Sequence, residues 1–345
     1  MSRRYGASLI LSLVMLLLAC GLSQARQITD MAGRKVQVPE VIKRVYATAP
    51  PATYMIYAVA PDLLVGTNGL LPKADPQYIN PHVRGLPVLG GWFGQGRMAN
   101  LEALLQAKPD VVVAFRWRNL TTQWKIEQTL EPMGLPVASL IMTGTKDFPQ
   151  VFRFLGQLLD RNQRAKILAA YGEHTLADLA RLRDSLPPAQ RLRVYYAEGG
   201  KGLQTECSDS FHTELIPLCG AVNVHKCMAK TIYGMDKVSL EQVLAYDPQV
   251  ILTHNHMFYK AVREDPRWRK VRAVAQGRVY KIPSVPFNWF DRPPSFMRLL
   301  GAQWLANKLY PAKYPVDMVA KTMEFYRLFL SVEVDRATAA KLLGR

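Results

Sequence analysis

Sixteen residues of this chain are written twice. "NLEALLQAKPDVVVAF" fills 100–115 and "SLEQVLAYDPQVILTH" fills 239–254, an offset of 139 residues, with Leu, Glu, Leu, Pro and Val identical at five of the sixteen positions. Each copy has the same physical reading. Asn100 and Ser239 are good helix N-caps. Glu102 and Glu241 follow in the first turn, where the helix dipole favours a carboxylate. The apolar residues behind them recur at helical spacing. Pro109 and Pro248 end each helix, because a residue that precedes proline resists the α conformation. "VVVAF" and "VILTH" then run apolar without alternation, as a strand buried on both faces of a parallel sheet does. A unit of this kind, used twice, points to two comparable halves.

Further strand candidates surround each copy. They are "RVYAT" (44–48), "LLVGT" (63–67) and "PVASLI" (136–141) in the first half, and "RVYYAE" (193–198) and "RVYKIP" (278–283) in the second. Helical segments alternate with them. The rhythm predicts an α/β protein of two Rossmann-like lobes with mainly parallel sheets, residues 26–146 and 189–345. The segment 147–188 between them carries Val151, Phe154, Leu155, Leu158, Leu159, Ile167, Leu168 and Tyr171 at three- and four-residue spacing and ends at Pro187 and Pro188. It reads as one long backbone helix joining the lobes, with Asp160–Asn162 as its weak point. Unbroken, it would span about 55–60 Å and limit hinge motion.

The chain has 345 residues, 49% of them hydrophobic, enough for two cores. The first 25 residues stand apart from those cores. Arg3 and Arg4 precede an apolar run from Ala7 to Ala19 that is too short to span a bilayer but suits a secretory signal peptide. Two processing routes stay open: ordinary cleavage after "SQA", before Arg26, and a lipobox-like "LLAC" in which Cys20 would carry lipid. Either route predicts export to the periplasm. The formal charge is +17; without the two signal arginines, 42 basic residues face 27 acidic ones, or +15. Such a charge fits surface solvation or attraction of an anionic ligand. The export signal and the lack of any binding motif argue against nucleic acid. There is no P-loop, no GxGxxG opening a βαβ unit, no GxSxG and no HExxH, so the chain is read as a non-enzyme.

Cys207, Cys219 and Cys227 lie within 21 residues. In an oxidising compartment one disulfide is expected, and Cys207 and Cys227, flanking a helix-like segment, are the pair assigned. Cys219 reads as a buried thiol. Cys207, His212, His225 and Cys227 match no standard zinc spacing.

The opening "ITDMAGRKVQVPEVIKRVYATAPPATYMIYAVAPDLLVG" (28–66), together with the paired NLE and SLE helices, resembles the periplasmic substrate-binding proteins of ABC importers for iron complexes and vitamin B12. The resemblance covers nearly the whole mature chain. It implies a monomeric protein that traps a metal complex between its lobes, holds no covalent cofactor, and delivers its cargo to a permease dimer in the inner membrane. In that family the two matching glutamates dock onto permease arginines, so Glu102 and Glu241 are assigned that role. The family also takes in binders of molybdate or tungstate, haem and nickel chelates, and the loops do not choose among them.

In open α/β sheets ligands sit beyond the carboxyl ends of the strands. That rule selects Arg116, Trp117 and Arg118 after the first repeat and His256 after the second. Trp92, Phe93 and Arg97 in "GGWFGQGR" and Trp289, Phe290 and Arg292 in "SVPFNWFDRPPSF" complete the expected cleft, with Glu198 and His212 brought toward it. Aromatic rings offer rigid apolar area for a chelate, arginines bind oxyanions in bidentate fashion, and His212 or His256 is a candidate metal ligand. His254 reads as the last core residue of its strand, and Asp291 as a partner for Arg292. "NLT" at Asn119 is taken as a chance glycosylation match. A periplasmic metal chelatase, with His212 or His256 working beside Glu198, and a sensory or scaffold protein are the competing functions.

Overall fold

The computed structural model describes residues 25–69, 71, 76–92, 98–117, 125–231 and 233–344. Phe93, Arg97 and Arg118 lie outside the described residues, as do Cys20, Asn119 and the segment 1–24.

The chain opens on an antiparallel hairpin, β1 (Ala25–Thr29) and β2 (Lys35–Pro39). Asp30 stabilises its turn by accepting from the backbone N–H groups of Ala32 and Arg34, and Gly33 supplies the positive φ of 80° that the turn needs. The first lobe holds a parallel sheet in the order β3 (Val45–Ala47), β4 (Val111–Arg116), β5 (Val137–Ile141). The second holds a parallel sheet in the order β11 (Val279–Lys281), β10 (Val250–Thr253), β6 (Arg193–Tyr196), β8 (Val222–Asn223). A small antiparallel ladder pairs β7 (Gln204–Thr205) with β9 (Asp236–Lys237). Among the described residues, the helices of six residues or more are α1 (Pro50–Val59), α2 (Leu101–Gln106), α3 (Lys125–Leu130), α4 (Phe148–Leu158), α5 (Asn162–Asp184), α6 (Leu240–Tyr246), α7 (His256–Ala261), α8 (Arg298–Leu309), α9 (Met318–Phe325) and α10 (Arg336–Leu342). No described helix is long and apolar enough to cross a membrane.

The repeat survives into three dimensions. The Asn100 side chain accepts from the Ala103 N–H, and the Ser239 hydroxyl from the Gln242 N–H. In each copy the residue before the proline, Lys108 or Asp247, takes a left-handed backbone, with φ of 41° and 43°. The strands that follow, β4 and β10, are each paired on both sides. Buried on two faces and two edges, they are apolar up to their last residues, Arg116 and Thr253.

Two expectations need correction. "LLVGT" forms no strand; Leu64 and Thr67 make only isolated bridges, to Val45 and Val88. Thr67 sits against Pro87, whose ring nitrogen carries no hydrogen to extend the ladder. The linking segment is two helices, α4 and α5. They break at Leu159–Arg161, where Asp160 takes a φ of 53°. The break lets α5 fold back on α4: the Ala165 methyl lies so close to Gly156 that a Cβ there would stand 2.4 Å from it.

One apolar core runs through both lobes. Tyr54 and Tyr57 of α1 pack on Phe287 and Phe296, and Phe296 stacks on Phe329, with ring centroids 4.5–6.0 Å apart. Phe329 in turn meets Phe152 of α4 at 5.9 Å. The segment that follows α9 therefore packs on the first lobe as well as the second.

Candidate ligand-binding site

The carboxyl ends of the two sheets meet across one seam. Trp117, directly after β4, packs its ring 4.3 Å from Phe211 of the opposite lobe and 5.0 Å from Phe115. Beside this contact, the Thr145 N–H donates to Glu214 Oε1 at 2.5 Å. A groove of about 490 Å³ runs along that edge, lined by Thr143, Lys146, Ser210 and Phe211 among others. Phe211 is itself backed by His212, ring centroids 3.8 Å apart, and by the Arg298 guanidinium at 5.8 Å.

Behind the seam lies a buried ionic network. Glu198, Glu206 and Asp291 are fully buried. Arg292 donates through Nε and Nη2 to Glu198 and through Nη2 to Glu206, and lies 3.8 Å from Asp291. Asp291 also accepts from Arg298 Nη2 at 2.8 Å and is in short contact with His212 Nδ1. Arg298, rising from α8, is anchored by the Phe290 carbonyl at 2.7 Å. Burial raises an isolated carboxyl, but the bond to His212 and the charge of Arg298 outweigh it and hold Asp291 below its ordinary range. Burial works against the Arg292 cation, yet its carboxylate partners, Glu198 first, raise it further. Arg292 keeps a left-handed backbone, φ 58°, the kind of strain that surrounding contacts must hold in place.

Glu206 is the group of this network that is poised to titrate. Burial, with the like charge of Glu198 sharing the same guanidinium, pushes its carboxyl up from 4.5 to about 7. The folded chain thus keeps a proton that the unfolded chain has lost between those values, so Glu206 makes stability fall as pH rises from about 4.5 to 7. His254 works the other way, since burial and Arg292 lower it. Comparison with wild type isolates the glutamate: Glu206→Gln is expected to remove a falling component of the stability–pH curve in this window, read by denaturant unfolding at each pH. A difference curve flat from pH 4 to 8 would contradict the assignment.

Two nitrogen atoms remain over. Arg292 Nη1 has no partner among the described residues. His254 binds Tyr196 OH through Nδ1 at 3.1 Å, leaving Nε2 unpartnered there too. Both groups are part-exposed at the carboxyl ends of the strands. They can accept an oxyanion or a ligand atom of a chelate.

The other expected residues divide. Trp117, His212 and Arg292 come together as described. Arg116 is buried in an ion pair with Glu127 of α3. Trp92 packs edge-on to Tyr46 at 6.4 Å, on the outer apolar cluster of its lobe. Trp289 is core rather than cleft: it is fully buried, with Nε1 on the Val285 carbonyl. Phe290 is also fully buried, behind Tyr196. His256 is exposed beside Lys281, 3.3 Å away, and is not joined with His212. Glu206, His254, Tyr196, Phe211 and Arg298 escaped the sequence reading. A signal existed for Arg298 alone: it is the single charge in "SFMRLLGAQWLA", and a cation in so apolar a helix must be paired.

Glu102 and Glu241 are exposed at matching positions in α2 and α6, and neither makes an ion pair among the described residues. Hydrogen bonds from its own backbone N–H and from Ser239 hold Glu241 below its ordinary carboxyl range. Cys207 and Cys227 are joined in a disulfide, Cα atoms 4.9 Å apart. Cys219 is a buried free thiol, raised by that burial.

Residues 92–286 match the family described as Periplasmic binding protein. The chain belongs to the periplasmic binding protein family. Among relatives of this periplasmic binding protein, the "Molybdate-binding protein MolA" of Haemophilus influenzae is 27% identical over 94% of this chain and 99% of its own length. The "Vitamin B12-binding protein" of Pectobacterium atrosepticum is 27% identical over 79% of this chain and 90% of its own. The solved structure of an ABC transporter solute binding protein from Sulfurospirillum deleyianum is 39% identical, with a TM-score of 0.87 over 93% of this chain and 99% of that one. MolA bound to molybdate shares the fold, with a TM-score of 0.73 at 23% identity.

Proposed function

We propose that this periplasmic binding protein captures an anionic metal species between its lobes and delivers it to an ABC importer, and that the cargo is a compact oxyanion such as molybdate or tungstate. One observation carries the reading of size. Trp117 and Phe211 touch across the seam at 4.3 Å, which leaves the space for a small ligand rather than for a bulky tetrapyrrole. The unpartnered Arg292 and His254 nitrogen atoms supply the donors, and the net charge of +15 left without the two leader arginines draws anions in. Likeness to MolA over nearly its whole length supports the same choice. The protein works after export, as its signal-like leader implies.

Isothermal titration of ligand-free protein tests this against molybdate, tungstate, cobalamin, haem, a ferric siderophore and nickel–histidine. One-to-one oxyanion binding, weakened at least about tenfold in His254→Ala, is the expected result. Cobalamin or haem binding without oxyanion binding would overturn it. The chelatase alternative finds little support, because His212 is tied to Asp291 and Glu198 to Arg292.

Glu102 and Glu241 form the docking pair in this reading, one from each lobe, facing a permease dimer of like symmetry. Reversing both charges to arginine is expected to cut uptake at least about tenfold, since like charges across an interface cost several kcal/mol, with ligand affinity untouched. Normal uptake by that variant would remove the docking role.

A further inference from the structure

The disulfide sits inside a ligand set of a different kind. Cys207 Sγ, Cys227 Sγ, one ring nitrogen of His225 and a carboxylate oxygen of Asp236 all lie within 4.8 Å of one another. Asp236 Oδ2 is 3.2 Å from Cys207 Sγ, 3.8 Å from Cys227 Sγ and 3.4 Å from His225 Nε2. Around a zinc ion with bonds of about 2.0–2.3 Å, tetrahedral ligands stand roughly 3.3–3.8 Å apart. The two bonded sulfur atoms are far closer than that, and Asp236 Oδ2 to Cys207 Sγ lies just under its lower edge. The other nitrogen of His225, Nδ1, is held by Tyr246 OH at 2.9 Å. Outer partners of this kind fix a metal-binding imidazole so that one chosen nitrogen faces the ion.

The scaffold under these side chains does not depend on the S–S bond. Asp236 lies on β9, paired with Thr205 of β7 two residues before Cys207. The His225 N–H donates to Asn223 Oδ1 at 3.1 Å, and Asn223 Nδ2 donates to the Glu206 carbonyl at 2.9 Å. The β7–β9 ladder thus holds two of the chain segments together, and the Asn223 side chain ties the third to them, without the sulfur atoms. The site is also accessible, since His225, Cys227 and Asp236 are each part-exposed. Two thiolates and a carboxylate carry three negative charges against two on the cation. The loaded site would keep one negative charge, in a segment that also carries Lys226 and Lys237.

We propose that Cys207, His225, Cys227 and Asp236 form a redox-gated site for one thiophilic divalent cation, zinc being the probe, and that the disulfide is its closed state. Opening needs a dithiol reductant. Two electrons and two protons pass to the cysteine sulfurs, the S–S bond breaks, and the reductant becomes a disulfide. Zinc then displaces the two thiol protons to solvent. Closing needs a disulfide oxidant: by thiol–disulfide exchange it takes the two electrons, with two protons from solvent, and leaves as its dithiol, the Cys207–Cys227 bond re-forms, and the ion is released.

The test uses the full chain, oxidised or reduced with a phosphine and desalted without oxygen, titrated with zinc against a chromogenic chelator. Reduced protein should bind one zinc at least 100-fold tighter than oxidised protein. His225→Ala and Asp236→Asn should each weaken binding at least tenfold, and Cys219→Ala should leave it unchanged. Cobalt should give a thiolate charge-transfer band in the reduced protein that is absent from a Cys207→Ser, Cys227→Ser double variant. Equal affinity in the two redox states, or tight binding that survives His225→Ala, would overturn the proposal. Should reduction alone unfold the chain, refolding on zinc addition supports the site, and failure to refold counts against it.

Discussion

Arg292→Met is expected to lose about 3–5 kcal/mol of stability, because removing one partner leaves buried charge without compensation, and to abolish ligand binding. Both effects have a structural origin. Arg292 is the shared partner of Glu198 and Glu206, which are fully buried, and its Nη2 also reaches the Tyr233 carbonyl at 3.2 Å. Glu206, already raised to about 7, takes up a proton with little resistance, whereas Glu198 would be stranded. Calorimetric and denaturant unfolding should therefore show a fall in midpoint of about 5 °C or more for a chain of this size. Adding Glu198→Gln and Glu206→Gln to the methionine variant should restore most of the stability without restoring the ligand. That combination separates a folding role from a binding role. A stable Arg292→Met protein that still binds its oxyanion would remove Arg292 from the site and leave the network as scaffolding.

Gly301→Ala should be nearly as damaging, although it lies outside the seam. A Cβ at Gly301 would stand 2.7 Å from the Trp289 carbonyl carbon and closer still to its oxygen. Backbone atoms cannot step aside as a flexible side chain can, so the loop must move off α8. Overpacking of this kind costs about 1–3 kcal/mol, occasionally more, and the upper end is expected here because the loop is pinned at several points. Trp289 N–H donates to the Pro283 carbonyl at 3.0 Å, and Arg298 holds both the Phe290 carbonyl and Asp291. Displacing the loop carries Asp291 and Arg292 with it, so binding should weaken even in molecules that stay folded. Unchanged unfolding and unchanged titration curves would show that the loop position is not set by this close approach.

The network also accounts for why so much of the site was hidden in the sequence. Trp117 and Arg292 were legible because each closely follows a clear strand or sits in a loop rich in aromatics. His254 was read as core because it ends an apolar strand, yet it is part-exposed and bonded to Tyr196. Trp289 was misplaced in the opposite sense. Its neighbours resemble an exposed loop, but Gly301 opens a slot in α8 against which the loop backbone, with its tryptophan, lies flat. Glu206 had no signal, since nothing local distinguishes a glutamate in "LQTECSDSF" that will share an arginine 86 residues away.

What the chain determined by itself was its architecture. Two N-capped helices stopped by prolines and two continuous apolar runs require two parallel-sheet lobes, because capping, proline geometry and burial on both faces act over a few residues. Tertiary structure alone decided which charges pair, whether the connector bends at Asp160, which loop tryptophan turns inward, and where sulfur, imidazole and carboxylate converge around Cys207. Those outcomes depend on distances between segments far apart in sequence, and electrostatic and steric energies are set by such distances rather than by residue order.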